Sequence, residues 1–278
     1  MTENAPDTAG STGSGVQRVQ GRILTPRGDL GYGEITFGER IETVAADGPG
    51  GRPAGTALHD TLTWVPGFID LHNHGGALGA FPSGNVEECR KAAQYHRSQG
   101  TTTLLASTVS ANREELCTQV ERLATLVAEG VIRGIHLEGP FVSPAKPGAQ
   151  DPSRIVSGDP DMFEAVIDAS GGTVRAITFA PETENVDGLL ELCKRHGIIA
   201  SLGHTDADYA TTAGVIAKAN ALGVTVTATH LFNAMPPLHH RKPGPVGALL
   251  AAARRGKAYV DHVGFPACLL YTSPSPRD

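Results

Sequence analysis

The chain has 278 residues, of which 40% are apolar and only 5% aromatic, and its net charge is −6. This length suits one large α/β domain, or a barrel with a small companion, around an aliphatic core. The negative charge argues against binding to a nucleic-acid backbone. No signal peptide or membrane-spanning run is recognisable, and the four cysteines lack the C-x-x-C spacing. We therefore expect a cytoplasmic protein with reduced thiols that binds neither nucleic acid nor membrane.

The first 63 residues contain two segments that differ in composition and hydrophobic pattern. Residues 1–15 are small and polar, and we expect them to form a disordered tail. In residues 16–63, short apolar runs are broken by Gly, Pro and Asp, and Gly31–Val44 alternates polar and apolar residues. This pattern predicts a small β layer that is not a full domain by itself.

From Trp64 onward, strand-like and helix-like segments alternate. The predicted strands are Gly67–His72, Thr101–Thr108, Ile132–Glu138, Val174–Ala180, Ile198–Gly203, Val224–His230 and Ala258–Val263. The predicted helices are Val86–Ser98, Asn112–Ala128, Pro160–Ala169, Val186–His196, Tyr209–Ala221 and Val246–Arg254. Strict alternation predicts parallel strands with right-handed crossovers. We predict an α/β fold in which residues 64–266 form a (β/α)₈ barrel that lacks its last unit; a doubly wound open sheet is the alternative.

Two histidines end the first strand of this region. Pro66-Gly67 precedes an apolar run that reaches His72 and His74. Side chains two positions apart in a strand face the same side, so both imidazoles are expected together at the carboxyl end of a buried strand. Such a pair can hold a metal ion. The alternative is a polar turn after a core strand.

Three later strands also end in candidate metal ligands, namely Glu138, His204 and His230. In a barrel these ends converge on one mouth, where four histidines and one glutamate could bind one or two divalent transition metals. Each residue has a structural alternative. Glu138 could pair with an arginine, His204 could adjoin a helix N-cap, and His230 could be a core histidine. His136 lies two positions before Glu138, and we expect it to support the ligands rather than to be one.

Four motifs together carry a family resemblance. They are Pro-Gly-Phe-Ile-Asp-Leu-His-x-His ending at His74, His-Leu-Glu-Gly-Pro-Phe around Glu138, Gly-His-Thr around His204, and Thr-His-Leu-Phe-Asn-Ala-Met around His230. In this order they resemble the N-acetylglucosamine-6-phosphate deacetylase family of the amidohydrolase superfamily. The resemblance implies a barrel flanked by a small β-sandwich, with residues 16–63 as a sandwich segment. It also implies hydrolysis of the acetamido group of N-acetylglucosamine 6-phosphate to glucosamine 6-phosphate and acetate, usually by a homodimer.

The resemblance assigns roles to individual residues. Glu138, His204 and His230 match the metal ligands of the family, and His72 and His74 match the extra ligands of members that bind two ions. The expected cofactor is thus one or two divalent ions, zinc or iron. The residues that match substrate contacts are Ala149, Gln150, Asn233, Ala234, Arg241 and, with an altered register, His262. Arg241 would reach the phosphate bound by the neighbouring subunit, where a planar bidentate donor suits a phosphate; it could also be an ordinary loop cation.

The end of the sequence departs from this pattern. Residues 267–278 contain two closely spaced prolines and no strand or helix period, and we expect them to be a non-native tail. The catalytic aspartate of the family follows an eighth strand, so its counterpart is expected beyond the end of the chain and the catalytic residue stays unknown. We therefore expect the chain as written to be inactive and poorly folded. The remaining alternatives are another amidohydrolase, such as a cyclic amidase, or a non-catalytic metal-binding fragment. A cyclic amidase acts on an uncharged ring, so Asn233, Ala234 and Arg241, which match phosphate contacts, would have no evident function in it.

Overall fold

The computed structural model describes residues 16–49, 51 and 62–260. The predictions for residues 1–15, for His262 and for residues 267–278 lie outside this part of the chain. The chain divides into two compact units between Phe68 and Ile69. Among the described residues, no helix combines the length and the apolar character needed to cross a membrane.

The first unit is a four-stranded sheet. Its strands are β1 (Gln17–Thr25), β2 (Gly28–Phe37), β3 (Ile41–Ala46) and β4 (Thr63–Trp64), in the spatial order β3-β2-β1-β4. β2 pairs antiparallel with both β1 and β3, whereas β4 runs parallel to β1. Trp64 fixes this last pairing, because its indole Nε1 donates a hydrogen bond of 2.9 Å to the carbonyl oxygen of Gln20. The small β layer expected at this end of the chain is thus present.

The second unit alternates strands and helices. Its strands are β5 (Phe68–Asn73), β6 (Gly75–Gly76), β7 (Gly79–Ala80), β8 (Thr101–Ser107), β9 (Gly134–Glu138), β10 (Val174–Phe179), β11 (Ile199–Leu202), β12 (Val226–Ala228) and β13 (Tyr259–Val260). Its helices are α1 (Val86–Ser98), α2 (Arg113–Ala128), α3 (Pro160–Ala169), α4 (Val186–His196), α5 (Tyr209–Leu222) and α6 (Gly244–Arg254). A short hairpin, β6–β7, follows β5 directly.

Seven strands form one sheet in the order β13-β12-β11-β10-β9-β8-β5. From β8 onward, each strand pairs in parallel with the next one along the chain. A doubly wound sheet would reverse direction at a switch point, and the described strands contain no such reversal. The sheet therefore has the strictly sequential order that a barrel requires.

The two faces of this sheet differ in chemistry. Along β9, Ile135 and Leu137 belong to the apolar core, whereas the intervening His136 and the terminal Glu138 are buried but lie outside that core cluster. Successive strand residues point to opposite faces, so the apolar residues face one layer and the polar ones the other. α2 contributes a matching apolar stripe of Leu116, Val120, Leu123 and Leu126 to the core. The polar face of the sheet is where the candidate site forms.

The expectation that the histidine pair ends a buried strand is wrong for β5. Phe68 is 61% exposed, Ile69 62% and Leu71 42%. The reason is that β5 is the outermost strand of the sheet within the described residues, with β8 as its one neighbour. The direction of the two histidines does not depend on this burial, because it follows from strand alternation alone.

Candidate metal centre

Five side chains from four strand ends converge on one point. His72 lies on β5 and His74 directly after it, and Glu138 is the last residue of β9. His204 and His230 each lie two positions beyond the end of a strand, β11 and β12 respectively. These are the five residues that the sequence predicts as metal ligands, and the structure brings all of them together.

The Glu138 carboxylate lies at the centre of this cluster. Its Oε2 is 3.0 Å from His74 Nε2. Its Oε1 is 3.0 Å from His230 Nε2, 3.1 Å from His204 Nε2 and 3.4 Å from His72 Nε2. Two triads therefore share one carboxylate: His72, His74 and Glu138, and Glu138, His204 and His230. The ligand atoms within each triad all lie within 4.8 Å of one another. Glu138 contacts four imidazoles, so the alternative of a buried carboxylate paired with an arginine does not hold.

Glu138 stays ionised in this setting. Burial alone would raise its pKa, since the side chain is almost fully enclosed, but the close contacts with the imidazole nitrogens of His204, His230, His72 and His74 outweigh burial and hold the pKa well below its usual range. An ionised carboxylate surrounded by imidazole nitrogens is a donor set suited to a divalent transition metal.

His204 shows that a cation fits this site. Its Nδ1 lies 3.0 Å from the carbonyl oxygen of Lys146, which can only accept a hydrogen bond. The ring therefore carries its proton on Nδ1 in the neutral form, and the lone pair on Nε2 points at Glu138 Oε1. Two acceptors 3.1 Å apart repel each other unless a proton or a metal cation lies between them. Orienting a ligand imidazole through a carbonyl on its second nitrogen is also usual for metal-binding histidines.

Backbone strain concentrates at the same place. His204 (φ 46°), His230 (φ 28°), Phe232 (φ 80°) and Ala234 (φ 50°) are non-glycine residues with positive φ. L-residues adopt this region at an energetic cost, and such residues cluster at functional sites because the surroundings hold them there. Here the strained positions follow β11 and β12, and the sharp turns place both imidazoles beside Glu138.

His136 is not a ligand. Its Nδ1 lies 2.9 Å from Ser107 Oγ and its Nε2 lies 2.8 Å from Thr178 Oγ1, so both ring nitrogens are occupied. Burial lowers its pKa well below the usual value, and the ring is therefore neutral. That His136 supports the ligands stays a prediction.

The residues that match substrate contacts fall into two groups. A Cβ atom added to Gly148 would lie 3.0 Å from His204 Cε1 and 3.6 Å from the side chain of Ala234, so the loop that carries Ala149 and Gln150 reaches the cluster. Ala234 accepts a hydrogen bond from Thr205 N–H (3.0 Å), and Asn233 N–H donates one to His230 (2.9 Å). The other group lies apart: Arg241 is exposed on the following loop, without an ion pair among the described residues, and His262 is outside them.

Gln150 is held in a defined orientation. Its amide oxygen accepts hydrogen bonds from both the backbone N–H (2.9 Å) and the hydroxyl of Ser110. A backbone N–H can only donate, so the atom of the Gln150 amide that faces Ser110 N–H must be the oxygen and the other must be the nitrogen. Gln150 Nε2 is buried and has no hydrogen-bond partner among the described residues. This donor is therefore available to a ligand.

Sequence reasoning missed the hydroxyl residues that surround His136. Ser107, Thr178, Ser201 and Thr229 are all buried and lie at or next to the carboxyl ends of their strands. Their signal in the sequence is a hydroxyl residue within an otherwise apolar strand, because a buried parallel strand is usually apolar throughout.

A sequential parallel sheet whose strand ends deliver four imidazoles and a carboxylate to one point is the arrangement of a metal-dependent hydrolase. Comparison with known proteins agrees: the amidohydrolase family matches residues 63–255. The chain belongs to the amidohydrolase family.

The individual proteins that the chain resembles carry a more specific name than the family does. N-acetylglucosamine-6-phosphate deacetylase from Bacillus subtilis (strain 168) is 36% identical over 232 residues, which are 80% of this chain and 56% of that protein. The crystal structure of N-acetyl-D-glucosamine-6-phosphate deacetylase from Mycobacterium smegmatis superposes with a TM-score of 0.74 at 36% identity, covering 87% of this chain and 62% of that one. An aspartate-to-alanine mutant of that enzyme, solved in complex with N-acetyl-D-glucosamine-6-phosphate, matches with the same TM-score, identity and coverage. The chain spans about half the length of the curated relatives it matches.

Proposed function

We propose that the protein takes part in the metal-dependent hydrolysis of the acetamido group of N-acetylglucosamine 6-phosphate, which yields glucosamine 6-phosphate and acetate. The observation that carries this proposal is the convergence of four imidazoles on the ionised carboxylate of Glu138. Relatives at 36% identity that bear the name of this deacetylase support the choice of substrate.

We assign the metal to the two triads that share Glu138. His204 and His230 would complete one ligand set with this carboxylate, and His72 and His74 the other. The donor set suits zinc or iron, as one or two ions. A bound divalent cation would supply Lewis acidity toward the acetamido carbonyl and lower the pKa of water. Glu138 is engaged by all four imidazoles, so it serves as a ligand rather than as the general base.

The substrate would lie over the same strand ends. Gln150 Nε2 is a buried donor without a partner among the described residues, which suits a carbonyl or hydroxyl oxygen of the sugar. Ala149, Asn233 and Ala234 belong to the loops around His204 and His230 and would border the sugar phosphate. Arg241 and His262 complete the proposed substrate contacts, with Arg241 directed to the phosphate in a neighbouring subunit. The acyl group would thus lie next to the cluster and the phosphate farther out.

The remaining assignments concern the whole protein. We propose that residues 64–266 form part of a (β/α)₈ barrel and that residues 16–63 form a β-sandwich segment. The sequential strand order and the TM-score of 0.74 support this assignment. A cytoplasmic homodimer is the proposed form, in which each subunit would complete the phosphate site of the other.

One experiment tests the function and its main alternative together. The purified protein is stripped with EDTA, reloaded with Zn²⁺ or Fe²⁺, and assayed for bound metal and for acetate release from N-acetylglucosamine 6-phosphate. We expect stoichiometric metal uptake, and any acetate release should depend on the bound metal. Uptake without acetate release would favour a non-catalytic metal-binding protein. Absence of metal uptake would overturn the proposal outright.

A further inference from the structure

A layer of polar side chains lies on the inner face of the sheet beside the metal centre. Five consecutive strands, β8 to β12, each have one member within two residues of the carboxyl end: Ser107, His136, Thr178, Ser201 and Thr229. None of the five is more than 5% exposed. We call this set the polar layer.

The polar layer is hydrogen-bonded from end to end. Ser107 Oγ is 2.9 Å from His136 Nδ1, and His136 Nε2 is 2.8 Å from Thr178 Oγ1. Thr229 Oγ1 then lies 2.6 Å from the hydroxyl oxygens of both Thr178 and Ser201. Each bond joins side chains of different strands, so the layer ties the carboxyl ends of five strands together.

The polar layer touches both halves of the metal centre. At one end, the backbone N–H of Asn73, the residue between His72 and His74, donates a hydrogen bond of 3.0 Å to Ser107 Oγ. The His136 ring meets His72 edge to face, with ring centroids 4.7 Å apart. Beyond Thr178, Thr229 directly precedes His230, which belongs to the second triad. The polar layer therefore connects the two triads by a second route, in addition to the carboxylate of Glu138 that they share.

Core packing does not explain the position of the polar layer. Two residues earlier on the same strands, the same face carries Leu105, Ala176 and Ile199, which are apolar. Barrel interiors are usually filled by such bulky apolar side chains, which need no hydrogen-bond partners. Thr227, two residues before Thr229, is the polar exception at that level. At the level next to the ligands all five side chains are polar, and buried hydroxyls must be paired there to avoid a desolvation penalty. Directional bonds fix atomic positions more narrowly than apolar contacts do, and ligand atoms need such precision.

We propose that the polar layer is a positioning device that couples the two triads of the metal centre, with Thr178 as its central link. Thr178 joins the half of the layer that supports His72 and His74 to the half that adjoins His230. This inference rests on the proposed metal function and adds positioning residues to it.

The test compares three variants of the full chain loaded with Co²⁺. Thr178→Val removes the hydroxyl while keeping the shape of the side chain, and Thr178→Ser retains the hydroxyl. Thr212→Val is the matched control, because Thr212 is an equally buried threonine on α5 whose hydroxyl donates to the backbone carbonyl oxygen of Asp208, the N-cap residue of that helix. The measurements are the Co²⁺ dissociation constant, the Co²⁺ d–d absorption spectrum and the circular dichroism of each metal-free protein.

We expect Thr178→Val to raise the Co²⁺ dissociation constant at least about tenfold and to alter the d–d spectrum. Thr178→Ser should restore both properties, and Thr212→Val should leave both unchanged whatever its effect on stability. If Thr178→Val does not fold, Ser107→Ala breaks the layer at the end that contacts Asn73 and should weaken Co²⁺ binding in the same way. Affinity within twofold of the unmodified protein and an unchanged spectrum in a folded variant would overturn the proposal. Failure of the unmodified protein to bind Co²⁺ would instead overturn the metal site itself.

Discussion

His204 Nδ1 donates a hydrogen bond of 3.0 Å to the carbonyl oxygen of Lys146, a residue 58 positions earlier in the chain. The backbone N–H of Ser143 returns a bond of 2.8 Å to the carbonyl oxygen of His204. The loop after β9 thus holds both the backbone and the ring of a candidate ligand. Any change that displaces this loop should therefore act on the metal centre.

Gly148 tests this relationship. A Cβ at this position would lie 3.0 Å from His204 Cε1, so Gly148→Ala should shift the imidazole and weaken metal binding about tenfold. Gly171→Ala is the matched control: the two glycines have φ of +57° and +61°, but a Cβ on Gly171 meets nothing within 4 Å. Both variants should lose stability through backbone strain, and only Gly148→Ala should lose zinc affinity in a competition titration. Equal zinc affinities for the two variants would contradict the role of the loop.

The shared carboxylate predicts an order of effects among ligand variants. Glu138→Gln removes the charge common to both triads, whereas His72→Asn removes a ligand of one triad. We expect Glu138→Gln to reduce bound metal more than His72→Asn does. Elemental analysis after dialysis measures this, with Glu164→Gln as the control, because Glu164 is an exposed carboxylate paired with Arg195. Equal metal content in Glu138→Gln and the unmodified protein would remove Glu138 from the ligand set.

Helix bounds were the most predictable part of the fold. The predicted ranges of α1, α3 and α4 agree with the structure at both ends. Local chemistry explains this agreement: Asn85 and Glu88 form a capping box at the start of α1, and Gly197 ends α4 in the left-handed conformation. Such signals lie within a few residues of the helix end and are present in the sequence itself.

Strand ends were less predictable. The strand predicted for Val224–His230 is reduced to Val226–Ala228, because the chain leaves the ladder and turns sharply at His230. An apolar run cannot show where pairing with a neighbour stops. Pairing depends on partners far away in the chain, which a local pattern does not contain.

The candidate site also has a part that the sequence predicts and a part that it does not. The convergence of the candidate ligands was predictable, because strand alternation places His72 with His74 and a parallel sheet gathers its carboxyl ends. The contacts that orient them were not. The bond from His204 to Lys146 and the bond from Thr178 to Thr229 join residues 58 and 51 positions apart. Only the folded chain reveals these pairs.

Buried thiols give a prediction that is independent of the metal. Cys193 is 1% exposed, and burial raises its pKa to about 12. Because the thiolate is the reactive form, raising the pKa from about 9 to about 12 should slow alkylation at pH 9 about 500-fold. Below pH 12 the rate should increase about tenfold for each pH unit. Iodoacetamide labelling followed by peptide mass spectrometry measures this for the native protein, with the urea-unfolded chain as the control. Similar labelling of Cys193 in both states would show that the thiol is accessible.

The last prediction concerns the phosphate of the substrate. Arg241 lies on an exposed loop beside His239, His240 and Lys242, so it could be one of several interchangeable cations. If it binds phosphate, Arg241→Ala should raise the dissociation constant for N-acetylglucosamine 6-phosphate about tenfold or more, because a charge-assisted hydrogen bond contributes about 1.5–3 kcal/mol. Binding of unphosphorylated N-acetylglucosamine should stay nearly unchanged, since it offers the guanidinium no anionic partner.

Calorimetric titration of the zinc-loaded protein with both sugars measures these constants. Lys242→Ala is the control, because it removes a neighbouring exposed cation from the same loop. A specific bidentate contact predicts a large effect for Arg241→Ala and a small one for Lys242→Ala. Equal losses in the two variants would mean that the loop acts only through its total charge. Equal losses on both sugars in Arg241→Ala would rule out a phosphate contact.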